Sequence, residues 1–97
     1  MQDLITRYFT PLGAGTVQQA LCVAQVESGF NPNAVNPVSG AAGVFQFIPA
    51  VWPPLSRAAG WGGASVFDAL ANVAVAAWTV GQYGWSMWSA DSATCRL

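Results

Sequence analysis

The chain has no histidine and no lysine, and its 97 residues include only three basic and four acidic side chains. Without histidine, and with two cysteines, it cannot build a zinc cage, so no metal is expected. No cofactor is implied either. A net charge of −1 leaves no basic patch, which argues against nucleic acid as a partner. Acid–base chemistry near neutrality has few candidates. Glu27 is the only glutamate, and the aspartates are Asp3, Asp68 and Asp91.

Low charge (7%) combined with a 54% hydrophobic share raises the question of a membrane segment. The uncharged run from Ala69 to Ala90 is long enough to span a bilayer. It contains Asn72, Gly81, Gln82 and Gly84, however, and most of its apolar residues are alanine, so it reads as a buried core helix rather than a membrane span. No charged start, apolar block and cleavage site follow Met1, so no signal peptide is visible. The expectation is the mature part of an exported protein or one released by other means. The length suits one domain over residues 1–97 with a modest single core, expected to be monomeric.

Glu27 ends a helical pattern. Thr16 with Gln19 fits a capping box, which predicts a helix over Thr16–Ser28, and Gly29 followed by Pro32 marks its stop. At 3.6 residues per turn Glu27 shares a face with Ala20, Val23 and Ala24, while Gln18 and Gln25 lie opposite. A carboxyl at the end of an apolar stripe is partly desolvated, which raises its pKa. A carboxylic acid that keeps its proton at neutral pH is what a general acid needs. The bland alternative is an idle, half-exposed glutamate, in a position that the helix dipole makes unfavourable for an anion.

The remaining pattern is mainly α-helical. Asp3–Phe9 reads as a short helix ended by Pro11 and Gly13. Residues 31–43 hold three asparagines, two prolines and two glycines, which is loop chemistry that allows a short strand pair. Pro49 can open a helix that Pro53-Pro54 breaks or restarts and Gly60 ends. Asp68 reads as the cap of a last long helix, more readily than as a catalyst. Leu70, Val73, Ala74, Ala77, Trp78 and Gly81 would form that helix's core stripe. Gly84 stops it, Trp85–Trp88 can form a helical turn, and the rest reads as tail with Asp91 in solvent.

Gln46 stands between Phe45 and Phe47, where an amide among aromatic rings can bond a sugar hydroxyl or acetamide. The alternative is that Gln46 bridges backbone groups of the 31–43 loop. Five tryptophans and two tyrosines fit sugar stacking, although aromatics are mostly core. Trp52 and Trp78 are assigned to the core, and Tyr83, Trp85 and Trp88 are left open. Cys22 lies nearer the glutamine side of its helix than the glutamate side, so the tail can reach over it. In an exported protein a Cys22–Cys95 disulfide is favoured over two free thiols.

Two segments at this spacing, Glu27-Ser28-Gly29-Phe30-Asn31-Pro32-Asn33-Ala34 and Gly40-Ala41-Ala42-Gly43-Val44-Phe45-Gln46-Phe47-Ile48-Pro49, resemble the soluble lytic transglycosylases. The resemblance is to the short lysozyme-like domains of actinobacteria and their phages, and it extends from about Leu21 to Trp88. Gly43-Val44-Phe45-Gln46 stands for the family's Gly-Leu-Met-Gln-like motif, Asn72-Val73 opens its third motif, and Trp85-Ser86-Met87-Trp88 is similar to its tryptophan-rich end.

The resemblance implies a goose-lysozyme-like α fold and cleavage of the β-1,4 bond between N-acetylmuramic acid and N-acetylglucosamine in peptidoglycan. Glu27 matches the single acid/base, Ser28 the supporting serine, Gln46 the sugar-binding glutamine and Phe45 its hydrophobic neighbour. Many members carry a serine nine positions after the glutamate; Asn36 stands there in this chain. Tyr83 is the nearest candidate for the tyrosine expected above the glutamate. With no convincing second carboxylate, a transglycosylase giving 1,6-anhydro ends is favoured over a hydrolytic lysozyme. A weak wall-binding module, or part of a phage machine, is the non-enzymatic alternative. The expected location is outside the cell or in its wall.

Overall fold

Asp68 begins the helix on which the others pack. Its side chain accepts a hydrogen bond from Ala71 N at 3.1 Å, as its place before an apolar run predicts. The computed structural model describes residues 1–97 as five α-helices: α1 Gln2–Phe9, α2 Ala14–Ser28, α3 Trp52–Ala58, α4 Ala69–Tyr83 and α5 Ser92–Cys95. Single 3₁₀ segments, Thr10–Leu12 and Ser86–Asp91, follow α1 and α4. Pairing between extended segments is limited to two isolated antiparallel bridges, Val35 with Ala42 and Ala42 with Phe47. The fold class is mainly α.

Helix α4 is buried on almost every side. Alanine and valine from Ala71 to Ala77, with Thr79 and Val80, are all inaccessible, so the expected single stripe is too narrow. Leu70 is 41% exposed, Gly81 is exposed and Trp78 is half-buried, so these three lie outside the core. Helix α1 covers α4 with Ile5 and Phe9, and α2 adds Ala20, Val23 and Ala24. Phe45, Phe47, Trp52, Trp88 and Cys95 complete the same core. No helix is long and apolar enough to cross a membrane. The uncharged run instead breaks at Gly84, whose φ of +72° excludes helix continuation.

Helix α2 begins two residues before the capping-box prediction. Gly13, with φ +105° and ψ 156°, occupies the cap, and Thr16 donates its hydroxyl to Leu12 O at 3.1 Å. Gln19 turns away from the helix end. Its Nε2 donates to Arg96 O and its Oε1 accepts from Trp85 Nε1. Thr16 bonds back one turn and Gln19 serves tertiary contacts, neither of which the capping motif encodes. The C-terminus follows expectation: Gly29 adopts the left-handed conformation and its N–H returns to Gln25 O at 2.9 Å.

In α3 the Pro53-Pro54 pair sits within the first turn, where backbone N–H groups have no intrahelical partner to lose. The helix therefore restarts at Trp52 rather than opening at Pro49. The stretch after Trp88 is ordered, not tail. The Ser86–Asp91 segment and α5 fold back onto α2, where Cys22 and Cys95 are joined by a disulfide.

Candidate functional site

Glu27 stands on the last turn of α2 and opens into a cleft of about 250 Å³. A larger depression of about 420 Å³ lies between α1 and α2, but Thr6, Thr10, Ala14, Val17, Gln18 and Leu21 line it and none of them can act as an acid. In the Glu27 cleft, Asn36, Ser39 and Gln46 supply polar atoms. Ile48, Val51, Met87 and Trp88 supply apolar wall. Glu27 is the only ionisable side chain that lines it.

The turn carrying Gln46 is built by Gly43 and Asn72. Gly43 has φ +83°, and a β-carbon there would collide with the Asn72 amide and with Val66 O. Asn72 is fully buried, and both ends of its amide are paired. Its Oδ1 accepts from Phe45 N and its Nδ2 donates to Val66 O, both at 2.9 Å. Ser28 ties the helix end to the same turn, donating to Val44 O at 2.7 Å and lying close to Ala24 O at 3.1 Å. Trp88 closes the other side through Nε1 to Phe45 O at 2.9 Å. Glu27, the Gly43–Gln46 turn and the Ser86–Asp91 segment are thereby held in one frame.

Each residue singled out in the sequence has a definite place. Gln46 lines the cleft, but its Nε2 is taken by Ala34 O at 3.1 Å and Gly43 O at 3.0 Å. The amide nitrogen thus has protein partners, as the backbone-bridging alternative required, and only Oε1 remains for a ligand. Asn36 also lines the cleft; its Oδ1 accepts from Val38 N at 2.9 Å and Ser39 N at 3.2 Å, which leaves Nδ2 as its free donor. Ser28 is not a cleft residue, since its hydroxyl is spent on the backbone.

Phe45 is a correction. It is fully buried between Phe9 and Trp88, while the turn, with Gln46 at φ +55°, sends Gln46 to the opposite side. Tyr83 is a second correction. It is 66% exposed, packs edge-on against Trp78 and borders a separate depression with Pro54 and Leu55. Trp52 is core, as expected, with Nε1 bonded to Ala64 O at 2.9 Å.

Asp91 is the third correction. It is 5% exposed rather than solvated, and it lies against Glu27. Burial first, then the hydrogen bond that the protonated Glu27 donates to Asp91, and the negative charge of Asp91, push the Glu27 carboxyl from its ordinary 4.5 up to about 7. No local pattern places Asp91 there, because a tertiary fold-back buries it. Ser39 was also missed. Its Oγ accepts from Ala41 N at 3.1 Å, which leaves its hydroxyl proton free at the cleft.

Residues 14–89 match the family model described as the Transglycosylase SLT domain. The "Probable transglycosylase SceD" of Staphylococcus aureus strain Newman is 53% identical over 36 residues, covering 37% of this chain and 16% of the relative. The protein of the same description from strain USA300 gives the same figures. The matched stretch thus spans only a small part of those curated relatives. No solved structure gives a significant match.

Proposed function

Since the chain belongs to the transglycosylase SLT domain family, we propose that it cleaves the β-1,4 bond between N-acetylmuramic acid and N-acetylglucosamine in peptidoglycan, acting as a lytic transglycosylase. The observation that carries this reading is Glu27, the one acid in the cleft, with its pKa raised to about 7. Near neutrality a large fraction of it holds a proton, and it can also give that proton up, so one group serves as acid and then as base.

In the first step Glu27 donates its proton to the glycosidic oxygen as the C1–O bond breaks. In the second, the Glu27 carboxylate takes the proton of the muramoyl 6-hydroxyl as O6 bonds to C1, which closes the 1,6-anhydro ring and regenerates the acid. Asn36 Nδ2 and the Ser39 hydroxyl are donors positioned for an acetamide carbonyl, and Gln46 Oε1 is an acceptor for a sugar hydroxyl. Met87 and Ile48, both partly exposed, offer apolar surface to a sugar face.

An inverting hydrolase would need a second carboxylate about 6.5–9.5 Å across the sugar to activate water. Asp68 is spent on capping α4 and Asp91 does not line the cleft, which favours the anhydro product. The substrate lies in the cell wall and the Cys22–Cys95 disulfide suits an oxidising compartment. Action outside the cell or in the wall follows from this reading. Mass spectrometry of muropeptides released from purified peptidoglycan tests it. Anhydro ends, absent from a Glu27→Gln control, are expected. Reducing ends, one water heavier, would make the protein a hydrolase, and no release would leave a wall-binding module.

A further inference from the structure

Asp91 is nineteen-twentieths buried, and its Oδ2 meets no N–H or O–H donor from the rest of the chain. A buried carboxylate oxygen without a donor is costly, and chains rarely retain one without cause. The group beside it is Glu27, itself an acceptor unless protonated. Two carboxyls in contact are satisfied when they share one proton, as O–H···O⁻. Asp91 does not line the cleft, whereas its neighbours Trp88 and Ala90 do, so it stands behind Glu27 rather than facing substrate.

We propose that Asp91 is a positioning residue for Glu27: its buried carboxylate accepts the Glu27 proton in a hydrogen bond, holds the acid in one rotamer and keeps it protonated until substrate takes the proton. The proposal rests on the transglycosylase reading for its consequence, but the pairing itself does not. Once Glu27 has protonated the leaving oxygen, two anions face each other in a half-buried site. Their repulsion strengthens Glu27 as the base that must next take the 6-hydroxyl proton. When it has done so, the shared-proton pair is restored and no proton is gained or lost over the cycle. One neighbour thus serves both half-reactions.

Asp91 reaches Glu27 from a different chain segment, tied into the same frame. Glu27 rides on α2. Asp91 ends a segment fixed on one side by the Trp88–Phe45 hydrogen bond and on the other by the Cys95–Cys22 disulfide. The remaining charged residues, Asp3, Arg7, Arg57, Asp68 and Arg96, are exposed, and none of them lines the Glu27 cleft. Asp91 is the charged neighbour of Glu27, so removing it has a directional consequence.

The test is the pH profile of wall cleavage by Asp91→Asn, read together with a ¹³C NMR titration of the wild-type carboxyls. The substitution keeps the shape and removes the charge. The alkaline limb, where Glu27 loses its proton, should move down by roughly one pH unit or more, the scale of one neighbouring charge. For the same shift, activity at pH 8 should fall about tenfold more than activity at pH 5. An Asp91→Asn profile scaled down equally at all pH values would mean a merely structural role and overturn the proposal. The NMR arm needs neither a folded variant nor activity. Glu27 Cδ should inflect near neutrality, and a midpoint in the ordinary glutamate range, near 4.5, overturns the proposal. A raised Glu27 midpoint in a protein that releases no muropeptides would support the pair and sink the transglycosylase reading instead.

Discussion

The side-chain amide of Asn72, on α4, occupies the space that a β-carbon on Gly43 would need. The two residues are far apart in sequence, yet the cleft depends on their fit. Gly43 lets the backbone approach the buried amide, and the amide then fixes Phe45 N and Val66 O. Phe45 points inward and Gln46 outward as a result.

This fit predicts that Gly43→Ala is among the most damaging small substitutions in the chain. It forces an alanine to φ +83° and drives its β-carbon into Asn72 and Val66. Strain of about 1–3 kcal/mol from the backbone adds to the steric term. Asn72→Ala should cost a comparable amount, on the order of 1–3 kcal/mol for each of the two backbone groups left unpaired. Urea denaturation of both variants measures the two losses. A Gly43→Ala protein as stable as wild type would show that the turn relaxes freely.

The raised Glu27 pKa makes stability depend on pH. A group whose folded pKa lies above its unfolded value stabilises fully below the unfolded value, and that contribution is lost as pH rises through the folded one. For Glu27 the window runs from 4.5 to about 7. Glu27→Gln stays neutral throughout, so its Tm should exceed that of wild type at pH 8 and match it near pH 4. Equal Tm differences at both pH values would mean that the carboxyl is not held in its raised state by the fold. The same substitution should abolish wall cleavage, a trade of stability for function.

Local chemistry made much of this legible. The helix stop at Gly29, the Asp68 cap and the apolar face leading to Glu27 follow from residue types within one turn of each other. What was not legible depends on distant chain segments. Thr16 and Gln19 fit a capping box, yet Gln19 is claimed by Arg96 and Trp85. Asp91 follows small polar residues that read as tail, and only the fold-back of the C-terminal segment buries it. Phe45 and Gln46 are neighbours whose roles separate because Gln46 adopts φ +55°, which no hydrophobic pattern records.

The Cys22–Cys95 bond closes a separation of 73 residues. In the chain-entropy account a loop of that size is worth about 4 kcal/mol. Replacing both cysteines by serine should lower stability on that order, measured by denaturant midpoint. Because the bond also holds the segment that ends at Asp91, the double variant should move the alkaline limb of activity downward, as Asp91→Asn does. A variant that loses stability while keeping the wild-type pH profile would show that Trp88 alone seats Asp91.

Gln46 joins a bracing role to the proposed sugar contact, and one substitution cannot separate the two. Its Nε2 bridges Ala34 O and Gly43 O, and its Oε1 is left for the cleft. Its backbone sits at φ +55°, where a residue with a β-carbon is strained and glycine is not. Gln46→Ala keeps the strain and loses both amide bonds. Gln46→Gly loses the same bonds but relieves the strain, so it should be more stable than the alanine variant by about 1 kcal/mol. If Oε1 contacts a sugar, both variants should show the same fall in kcat/KM, on the order of tenfold for one lost hydrogen bond. Tm and muropeptide release measured on the pair decide the matter. Activity that recovers with stability in the glycine variant would mean that Gln46 only braces the 31–43 loop, and the sugar acceptor would have to be sought elsewhere in the cleft.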